Sequence, residues 1–334
     1  MSLNQQPLLR NKAGAGGNWP PPPARAAEVL SFCGDKENGA VLYNCRTGLR
    51  ERVWIAGMSA FLNQIVAKTR RKVDEAKRGA DLRELEGRAE RHVPRGFRRA
   101  LEEKSKDGVA VIAELKKASP SKGLIRAEFR VEELARELEA AGAAALSVLT
   151  DQEFFQGSLE NLPLASAVVK VPCLRKDFIV DEFQLLEARA NSADAVLLIV
   201  AALTREELTK LALGARERGL DVLCEVHDED ELQPALDAGC DLIGVNARDL
   251  RTFKVDVETL FRLVERIPKN AVRVAESGIG SGDDIARLRA AGYQAFLIGE
   301  SLMRAQRPGV ALRELVASCE VRVPSTQFRA PSGW

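Results

Sequence analysis

Beyond Gly108 the chain repeats one pattern of hydrophobic and polar positions. Short continuous apolar runs of four to seven residues are each followed by a polar loop and then by a charged segment with helical spacing. A continuous apolar run is typical of a parallel strand that is buried on both faces. We predict strands at Val109–Leu115, Ala145–Thr150, Val171–Arg175, Ala195–Ala201, Asp221–Val226, Leu242–Val245, Val272–Ala275 and Ala295–Ile298.

Amphipathic segments separate these runs and predict helices. Examples are Val131–Ala141, Phe183–Ala190, Arg205–Arg218, Asp230–Ala238, Val257–Arg266, Gly282–Ala291 and Gly309–Ser318. Eight strand-and-helix repeats at this spacing favour a closed (β/α)8 TIM barrel over an open sheet. The predicted fold is therefore α/β, with the barrel at residues 109–320 and a C-terminal tail at residues 321–334.

The chain ahead of the barrel divides into two segments. Between residues 58 and 108, apolar residues such as Phe61, Ile65 and Val73 recur with helical spacing, which predicts N-terminal helices that pack on the barrel. Residues 1–57 contain four consecutive prolines, Pro20 to Pro23, and a Gly-rich stretch. We predict a disordered or loosely docked tail there.

Composition and charge limit the partners of the chain. Of its 334 residues, 46% are hydrophobic and 29% are charged, which is enough apolar material for a substantial core. The 49 Lys and Arg residues nearly balance the 48 Asp and Glu residues, which argues against binding to nucleic acid or an anionic membrane. The apolar stretches are far shorter than the roughly 20 residues that span a bilayer. We therefore expect a small-molecule partner, and neither a nucleic acid nor a membrane.

Cysteine and histidine usage argues against a metal centre. The six cysteines form no CxxC pair and have no histidine at metal-binding spacing. Three of them, Cys173, Cys224 and Cys240, lie in apolar runs that are typical of small core residues. Because unpaired cysteines fit a reducing compartment, we expect a cytoplasmic protein. The two histidines are too few for a His-based metal site. We interpret His227 as a solvated loop residue, and the alternative is that it approaches the site from the end of its strand.

Charged side chains concentrate where the predicted strands end. Active sites of such barrels lie at the carboxyl ends of the strands. Alternation places Glu114 and Lys116 on the same side of the first strand, and buried charges there are costly unless they are paired or used. The candidate acid–base and anion site comprises Glu114, Lys116, Lys176, Glu225, Asn246 and Arg248. For any single member of this group, a salt-bridge layer at the barrel top is the structural alternative.

Glycines follow the last two predicted strands. The segments Ser277-Gly278 and Gly299-Glu300-Ser301 occupy the place where many barrels bind phosphate with backbone N–H groups. Since glycine lets the backbone approach oxygen atoms closely, two such segments at neighbouring strands favour a phosphorylated substrate.

Several motifs resemble those of one enzyme family. The segment VIAELKKASPSKG is similar to the signature of the indole-3-glycerol-phosphate synthases of tryptophan biosynthesis. The segments ALSVLTDQEFFQGS, CLRKDF, LCEVH, GVNARDL, AESGI and FLIGESLM are similar, in order, to the other strand-end motifs of that family, and the agreement runs from about Ser59 to Ser318. The resemblance implies a carboxy-lyase that closes the ring of 1-(2-carboxyphenylamino)-1-deoxyribulose 5-phosphate with loss of CO2 and water. It implies no cofactor and no metal, and transient contact at most with other enzymes of the pathway.

The resemblance also implies roles for the charged cluster. Lys176 resembles the general acid at the substrate carbonyl, and Glu225 resembles the acid of the later dehydration. Glu114, positioned with Asn246, resembles the partner base, while Lys116 resembles the lysine that binds the substrate carboxylate. Because a cation lowers the pKa of a neighbouring lysine, we expect Lys116 to lower the pKa of Lys176.

Further positions match the substrate-binding and phosphate-binding motifs. Ser119 and Arg248 resemble substrate-binding residues, and the phosphate cradle is expected to comprise Ser277, Gly278, Gly299 and Ser301. For Phe155 and its neighbour Phe154, two interpretations stay open: they wall the aromatic ring, or they belong to the ordinary core. Glu300 stands where some members of the family carry Ser, so we expect no contact between its side chain and phosphate, because two anions repel.

Two alternative functions stay open. A barrel similar to phosphoribosylanthranilate isomerase uses a Cys/Asp acid–base pair, whereas the first strand here ends in Glu114-Leu115-Lys116. For a non-catalytic barrel that binds a sugar phosphate, we would expect strand ends without paired acids and lysines. The strand ends therefore favour the ring-closing synthase over both.

Overall fold

Eight parallel strands form a closed barrel in the computed structural model, which describes residues 31–33, 41–43 and 60–320. The strands are β1 (Ala110–Leu115), β2 (Ala145–Leu149), β3 (Cys173–Lys176), β4 (Ala195–Ile199), β5 (Asp221–Val226), β6 (Leu242–Asn246), β7 (Val272–Glu276) and β8 (Ala295–Ile298). Each strand pairs in parallel with the next one along the chain, and β8 closes the barrel by pairing with β1. The predicted (β/α)8 fold is confirmed.

The described residues contain twelve α-helices. They are α1 (Ala60–Gly79), α2 (Leu82–Arg91), α3 (Phe97–Asp107), α4 (Val131–Ala140), α5 (Asn161–Ser166), α6 (Glu182–Ala190), α7 (Arg205–Glu217), α8 (Glu229–Asp237), α9 (Glu258–Val264), α10 (Gly282–Ala291), α11 (Glu300–Arg304) and α12 (Pro308–Glu320). Sequence analysis did not predict α5 and α11, because helices of six and five residues are too short to set up a readable helical period.

Alternation along the strands sorts their side chains into two cores. Outward-facing residues such as Val111 and Ala113 pack beneath the surrounding helices. Inward-facing residues fill the barrel, and in β7 this series is Val272, Val274 and then Glu276. The inward positions are thus apolar in the lower part of the barrel and charged at its carboxyl end, where the site lies.

Helix α3 covers the other end of the barrel. Its Phe97 and Leu101 are fully buried and share one core with residues near the strand starts, among them Ala110 and Ala295. The backbone N–H of Arg98 also donates to the side chain of Asp221, the first residue of β5. The amino-terminal ends of the strands are therefore packed against apolar side chains, and the carboxyl ends are left for chemistry.

A buried ion pair fastens the segment between α2 and α3 to the barrel. Asp194, which is fully buried next to β4, accepts hydrogen bonds from the backbone N–H of Arg95 at 2.7 Å and from its Nε at 3.0 Å. The Nε2 atom of His92 lies 3.2 Å from the same carboxylate, and the backbone N–H of Cys173 donates to it at 2.6 Å. Burial alone raises the pKa of Asp194, but these hydrogen bonds outweigh it and hold the pKa below its usual range.

The predicted tails are largely outside the described residues. Within residues 1–57 the structure describes two short antiparallel strands, Ser31–Cys33 and Val41–Tyr43, and the predicted C-terminal tail at residues 321–334 is not among the described residues. The disorder predicted for both segments stays a prediction. In the described part of the chain, no helix is long and apolar enough to cross a membrane.

We expect Asp194→Ala to lower the free energy of unfolding by about 3–5 kcal/mol, because it leaves the Arg95 guanidinium partly buried without its carboxylate. Urea denaturation followed by circular dichroism measures this change. The matched control is Glu103→Ala, which removes a partner of Arg99 from an exposed ion pair and is expected to cost less than about 1 kcal/mol. Equal losses in the two variants would contradict the anchoring role of Asp194.

Candidate active site

A cavity of about 700 Å³ opens at the carboxyl ends of the barrel strands. Its size is typical of a site for a small molecule. With Phe154 as the exception, the residues that sequence analysis proposed for the site line this cavity: Glu114, Lys116, Ser119, Phe155, Lys176, Glu225, Asn246, Arg248, Ser277, Gly278, Gly299 and Ser301. Closure of the barrel therefore brings together residues that are spread over most of the chain.

Lys176, the last residue of β3, lies among carboxylates. Its Nζ atom donates to Glu225 Oε2 at 2.7 Å and to Glu276 Oε2 at 3.3 Å. Both acceptors are inward-facing residues near the ends of β5 and β7. Sequence analysis missed Glu276 as a site residue, although the alternation that placed Glu114 and Lys116 on one face also turns Glu276 inward.

The predicted effect of Lys116 on Lys176 is wrong. Burial lowers the pKa of Lys176, but the nearby carboxylates of Glu225, Glu276 and Glu114 outweigh it and hold the pKa above its usual value. Lys116 does not act as a free cation beside Lys176, because its Nζ atom pairs with Glu114 Oε2. In the unliganded site Lys176 is therefore a fully protonated ammonium group.

Glu225 is held as a carboxylate. Lys176 donates to its Oε2, Asn246 Nδ2 donates to its Oε1 at 3.1 Å, and His227 Nε2 lies 3.3 Å from Oε1. Burial alone raises the pKa of Glu225, but Lys176 and His227 outweigh it and keep the pKa well below its usual range. Glu114 was expected to be positioned with Asn246; in the structure Asn246 donates to Glu225, and Glu114 pairs with Lys116.

Glu276, in contrast to Glu225, favours its protonated form. It is 2% exposed, and its Oε1 atom accepts no hydrogen bond from the described residues. Burial, together with the nearby charge of Glu225, raises the pKa of Glu276 to about 8, although Lys176 opposes this shift. Two carboxyl groups that contact the same ammonium therefore differ at neutral pH, with Glu225 ionised and Glu276 protonated.

Two glycines make room for these carboxylates. A Cβ atom on Gly299 would lie 2.9 Å from the Cβ atom of Glu114, and one on Gly244 would lie 3.2 Å from Leu223 Cδ1 and 3.3 Å from the Glu276 carboxyl carbon. Any larger residue at these two positions would displace Glu114 or Glu276. The glycines thus fix the places of two acidic side chains in the cavity.

The predicted phosphate residues lie at the ends of β7 and β8. Ser277 and Gly278 both have positive φ angles, of 66° and 76°, and a Cβ atom on Gly278 would lie 2.9 Å from Val255 Cγ1. Both residues line the cavity, at the place where many barrels bind phosphate with backbone N–H groups.

Arg248 and Glu300 lie beside the predicted phosphate residues. The Arg248 guanidinium donates to the carbonyl oxygen of Phe253 at 3.1 Å and lies 3.9 Å from Glu300 Oε2. Arg304 donates to the same carboxylate, at Oε1, at 3.1 Å. The Glu300 carboxylate thus faces two arginines. That it does not contact phosphate stays a prediction.

Of the two adjacent phenylalanines, one lines the cavity and the other does not. Phe155 lies at the wall, with its ring centroid 6.5 Å from that of Phe178. Phe154 instead packs edge-on against Phe61 of α1 at 5.6 Å, and the ammonium of Lys68 lies 5.3 Å from its ring centroid. Phe154 therefore follows the alternative of core packing, because its ring docks α1 on this loop.

His227 is not the solvated residue that sequence analysis proposed. Its side chain is 11% exposed and lies between the carboxylates of Glu225 and Glu231. The four cysteines within residues 60–320, in contrast, are buried, as predicted for Cys173, Cys224 and Cys240, and none of the four lines the cavity. The described residues contain no group of three or more side chains that could hold a metal ion.

Comparison with known proteins identifies the family of this chain. Residues 62–315 match the profile of the family described as "Indole-3-glycerol phosphate synthase". The chain is 63% identical over 259 residues to the indole-3-glycerol phosphate synthase of Koribacter versatilis, which covers 78% of this chain and 100% of that protein. It is 45% identical over 264 residues to the protein of the same name from Bacteroides thetaiotaomicron, which covers 79% of this chain and 100% of that protein.

A solved structure shares the fold at low sequence identity. The 3-hexulose-6-phosphate synthase of Salmonella typhimurium has a TM-score of 0.52 at 13% identity, over 64% of this chain and 99% of that one, and this likeness concerns the fold alone. The family match and the high sequence identities identify the family as well as the fold. The chain belongs to the indole-3-glycerol phosphate synthase family, as its strand-end motifs predicted.

Proposed function

We propose that the chain catalyses the ring closure of 1-(2-carboxyphenylamino)-1-deoxyribulose 5-phosphate to indole-3-glycerol phosphate in tryptophan biosynthesis, and is therefore a carboxy-lyase. The observation that carries this proposal is the contact of the Lys176 ammonium with Glu225 at 2.7 Å. Both residues line a cavity that the predicted phosphate residues at the ends of β7 and β8 also line. Ring closure needs a proton donor and a proton acceptor near one carbonyl carbon, and this cluster supplies both kinds of group.

The phosphate end of the substrate is proposed to bind at Ser277, Gly278, Gly299 and Ser301. All four residues line the cavity at the ends of β7 and β8, where many barrels bind phosphate with backbone N–H groups. Arg248 also lines this part of the cavity and adds positive charge. Binding energy from the phosphate would hold the reacting end in place.

The aromatic end of the substrate is proposed to lie near Phe155. Lys116, at the end of β1, is the proposed partner of the substrate carboxylate, and Ser119 lines the same part of the cavity. Since Lys116 pairs with Glu114 in the unliganded site, binding of the carboxylate would release Glu114 from that ion pair. Glu114 would then be free to act as a base.

Lys176 is the proposed general acid of the first step. As the aromatic carbon attacks the carbonyl carbon, negative charge develops on the carbonyl oxygen, and the Lys176 ammonium donates a proton to it. Its raised pKa keeps this proton in place until the oxygen becomes basic. Loss of CO2 then restores the aromatic ring, and the new hydroxyl group remains to be eliminated.

Glu225 is the proposed acid of the dehydration, in which the hydroxyl group leaves as water. Because Glu225 is a carboxylate in the unliganded site, it must first gain a proton. Glu276 is a source for that proton, since its pKa of about 8 keeps it protonated at neutral pH and Lys176 contacts both carboxyl groups. Glu114 is the proposed base that removes the C–H proton as the double bond forms.

Substitution of Lys176 tests the proposed acid. We expect Lys176→Ala to lower kcat by at least about 100-fold, because the developing oxyanion loses its proton donor. The assay follows indole fluorescence after addition of the carboxyphenylamino substrate without added metal, and Lys269→Ala at an exposed position is the control. Failure of the unaltered chain to form product would refute the proposed function, and full activity of Lys176→Ala would refute the role of Lys176.

Removal of the substrate phosphate tests the proposed cradle. The dephosphorylated substrate is expected to have a kcat/KM lower by at least about tenfold, since charge-assisted hydrogen bonds to backbone N–H groups are lost. Steady-state kinetics with both substrates gives this ratio. Equal kcat/KM values would contradict phosphate binding at Ser277 and Gly278.

The protonation of Glu276 has a spectroscopic signature. Because its pKa is raised to about 8, the infrared carbonyl band of a protonated carboxyl group is expected at pH 6.5 and is expected to fade as the pH rises through 8. Difference spectra between Glu276→Gln and the unaltered chain isolate this band, and Glu258→Gln at an exposed position is the control. A spectrum without a band that depends on Glu276 would contradict the assignment.

A further inference from the structure

His227 follows β5 directly, two residues after Glu225, so its side chain turns to the same side of the strand. The ring lies between two carboxylates. Its Nδ1 atom lies 3.0 Å from Glu231 Oε2, and its Nε2 atom lies 3.3 Å from Glu225 Oε1, an ion-pair contact that lacks hydrogen-bond geometry. The side chain is 11% exposed, so water contributes little to its solvation.

This geometry constrains the charge of the ring. A neutral imidazole has one N–H group and one lone pair, so either tautomer would direct a lone pair at a carboxylate oxygen. An imidazolium has two N–H groups and can face both carboxylates favourably. The positions of Glu225 and Glu231 therefore fit a protonated His227.

The surrounding charges act in the same direction. Glu225 on β5 and Glu231 on α8 face the ring, and Asp228, the N-cap residue of α8, adds another acidic group. Among the cations, Lys176 on β3 acts on Glu225, and Arg251 in the loop after β6 lies near Asp228 and Glu231. Glu276 on β7 lies beyond Glu225 and is protonated at neutral pH. Burial lowers the pKa of His227, but Glu225 and Glu231 outweigh it and raise the pKa to about 10.

The first turn of α8 holds the ring in place. Glu231 Oε2 accepts from the backbone N–H of His227 at 2.8 Å as well as facing Nδ1. The backbone N–H of Glu231 donates in turn to Asp228 Oδ1 at 3.0 Å, which caps the helix. His227 is thus held through both its backbone N–H and its Nδ1 atom, and its Nε2 atom lies 3.3 Å from Glu225 Oε1.

We infer that His227 is a positioning residue that remains an imidazolium between Glu231 and Glu225 and keeps the Glu225 carboxylate turned towards Lys176 and Asn246. The inference rests on the proposed function only in that Glu225 is taken as a reacting group. A carboxylate with donors on both oxygens has a defined orientation, and that orientation decides where its proton is delivered. Loss of charge on His227 would weaken this hold and turn a lone pair towards Glu225.

The charge of His227 can be measured without any assay of activity. The chain has two histidines, so the labelled imidazole ring signals of the whole protein are assigned with one variant, His92→Asn. We expect NMR of the unaltered chain to show His227 as an imidazolium from pH 6 to 8.5. In Glu231→Gln we expect His227 to titrate between about pH 6 and 9, because one of its two carboxylates is gone. A neutral His227 ring in the unaltered chain at pH 7.5 would overturn the inference.

The consequence for catalysis is tested in the same variants. In Glu231→Gln, kcat is expected to fall by about tenfold as the pH rises. The midpoint of this fall is expected at the pH at which NMR finds the midpoint of the His227 titration. The double variant Glu231→Gln with His227→Asn should lose this new pH dependence, and Glu229→Gln on the same helix should not acquire it. Titration of His227 with no change in kcat would overturn the positioning role, as would a loss of kcat that is uniform with pH. Absence of product from the unaltered chain would refute the proposed function instead, and the NMR result would still decide the charge.

Discussion

The pairing of buried charges at the carboxyl end of the barrel is the constraint on which the site depends. Lys176 contacts Glu225 and Glu276, Lys116 pairs with Glu114, and His227 lies between Glu225 and Glu231. Glu276 is protonated at neutral pH, and so is His227. The cluster then has three cations and three carboxylates: Lys116, Lys176 and His227, and Glu114, Glu225 and Glu231. A set that is neutral as a whole escapes most of the cost that a single uncompensated buried charge would incur. The unliganded cavity can therefore hold these groups close together without its substrate.

The same constraint explains why neighbouring groups of one chemical type behave differently. Glu225 and Glu276 are both almost fully buried and both contact Lys176, but Glu225 also receives Asn246 and faces His227. The extra donors stabilise the charge on Glu225, and that charge in turn disfavours ionisation of Glu276. An acid and a base are thus made from two identical side chains by their surroundings alone.

Continuous apolar runs and the amphipathic segments between them predicted most of the framework correctly. The strands, most helices and the cavity-lining positions follow from period and from the rule that parallel strands share one active end. Glu276 was not among the predicted site residues, although its inward position in β7 follows from alternation along the strand. The contact of Asn246 with Glu225 and the contact of Phe154 with Phe61 were not predicted, because neither depends on local spacing. Each is decided by how loops from different strands pack across the barrel mouth.

The sequence by itself determined the fold class, the family and the residues that reach the cavity, because these follow from short-range periodicity and from strand-end motifs. Only the tertiary structure decided the protonation states of Lys176, Glu225, Glu276 and His227. Sequence analysis placed Lys176 beside a cation and predicted a lowered pKa, whereas the folded chain surrounds it with carboxylates and raises the pKa. The physical reason is that Coulomb interactions depend on distances of a few ångströms in a site shielded from water, and those distances join residues that are far apart in the chain.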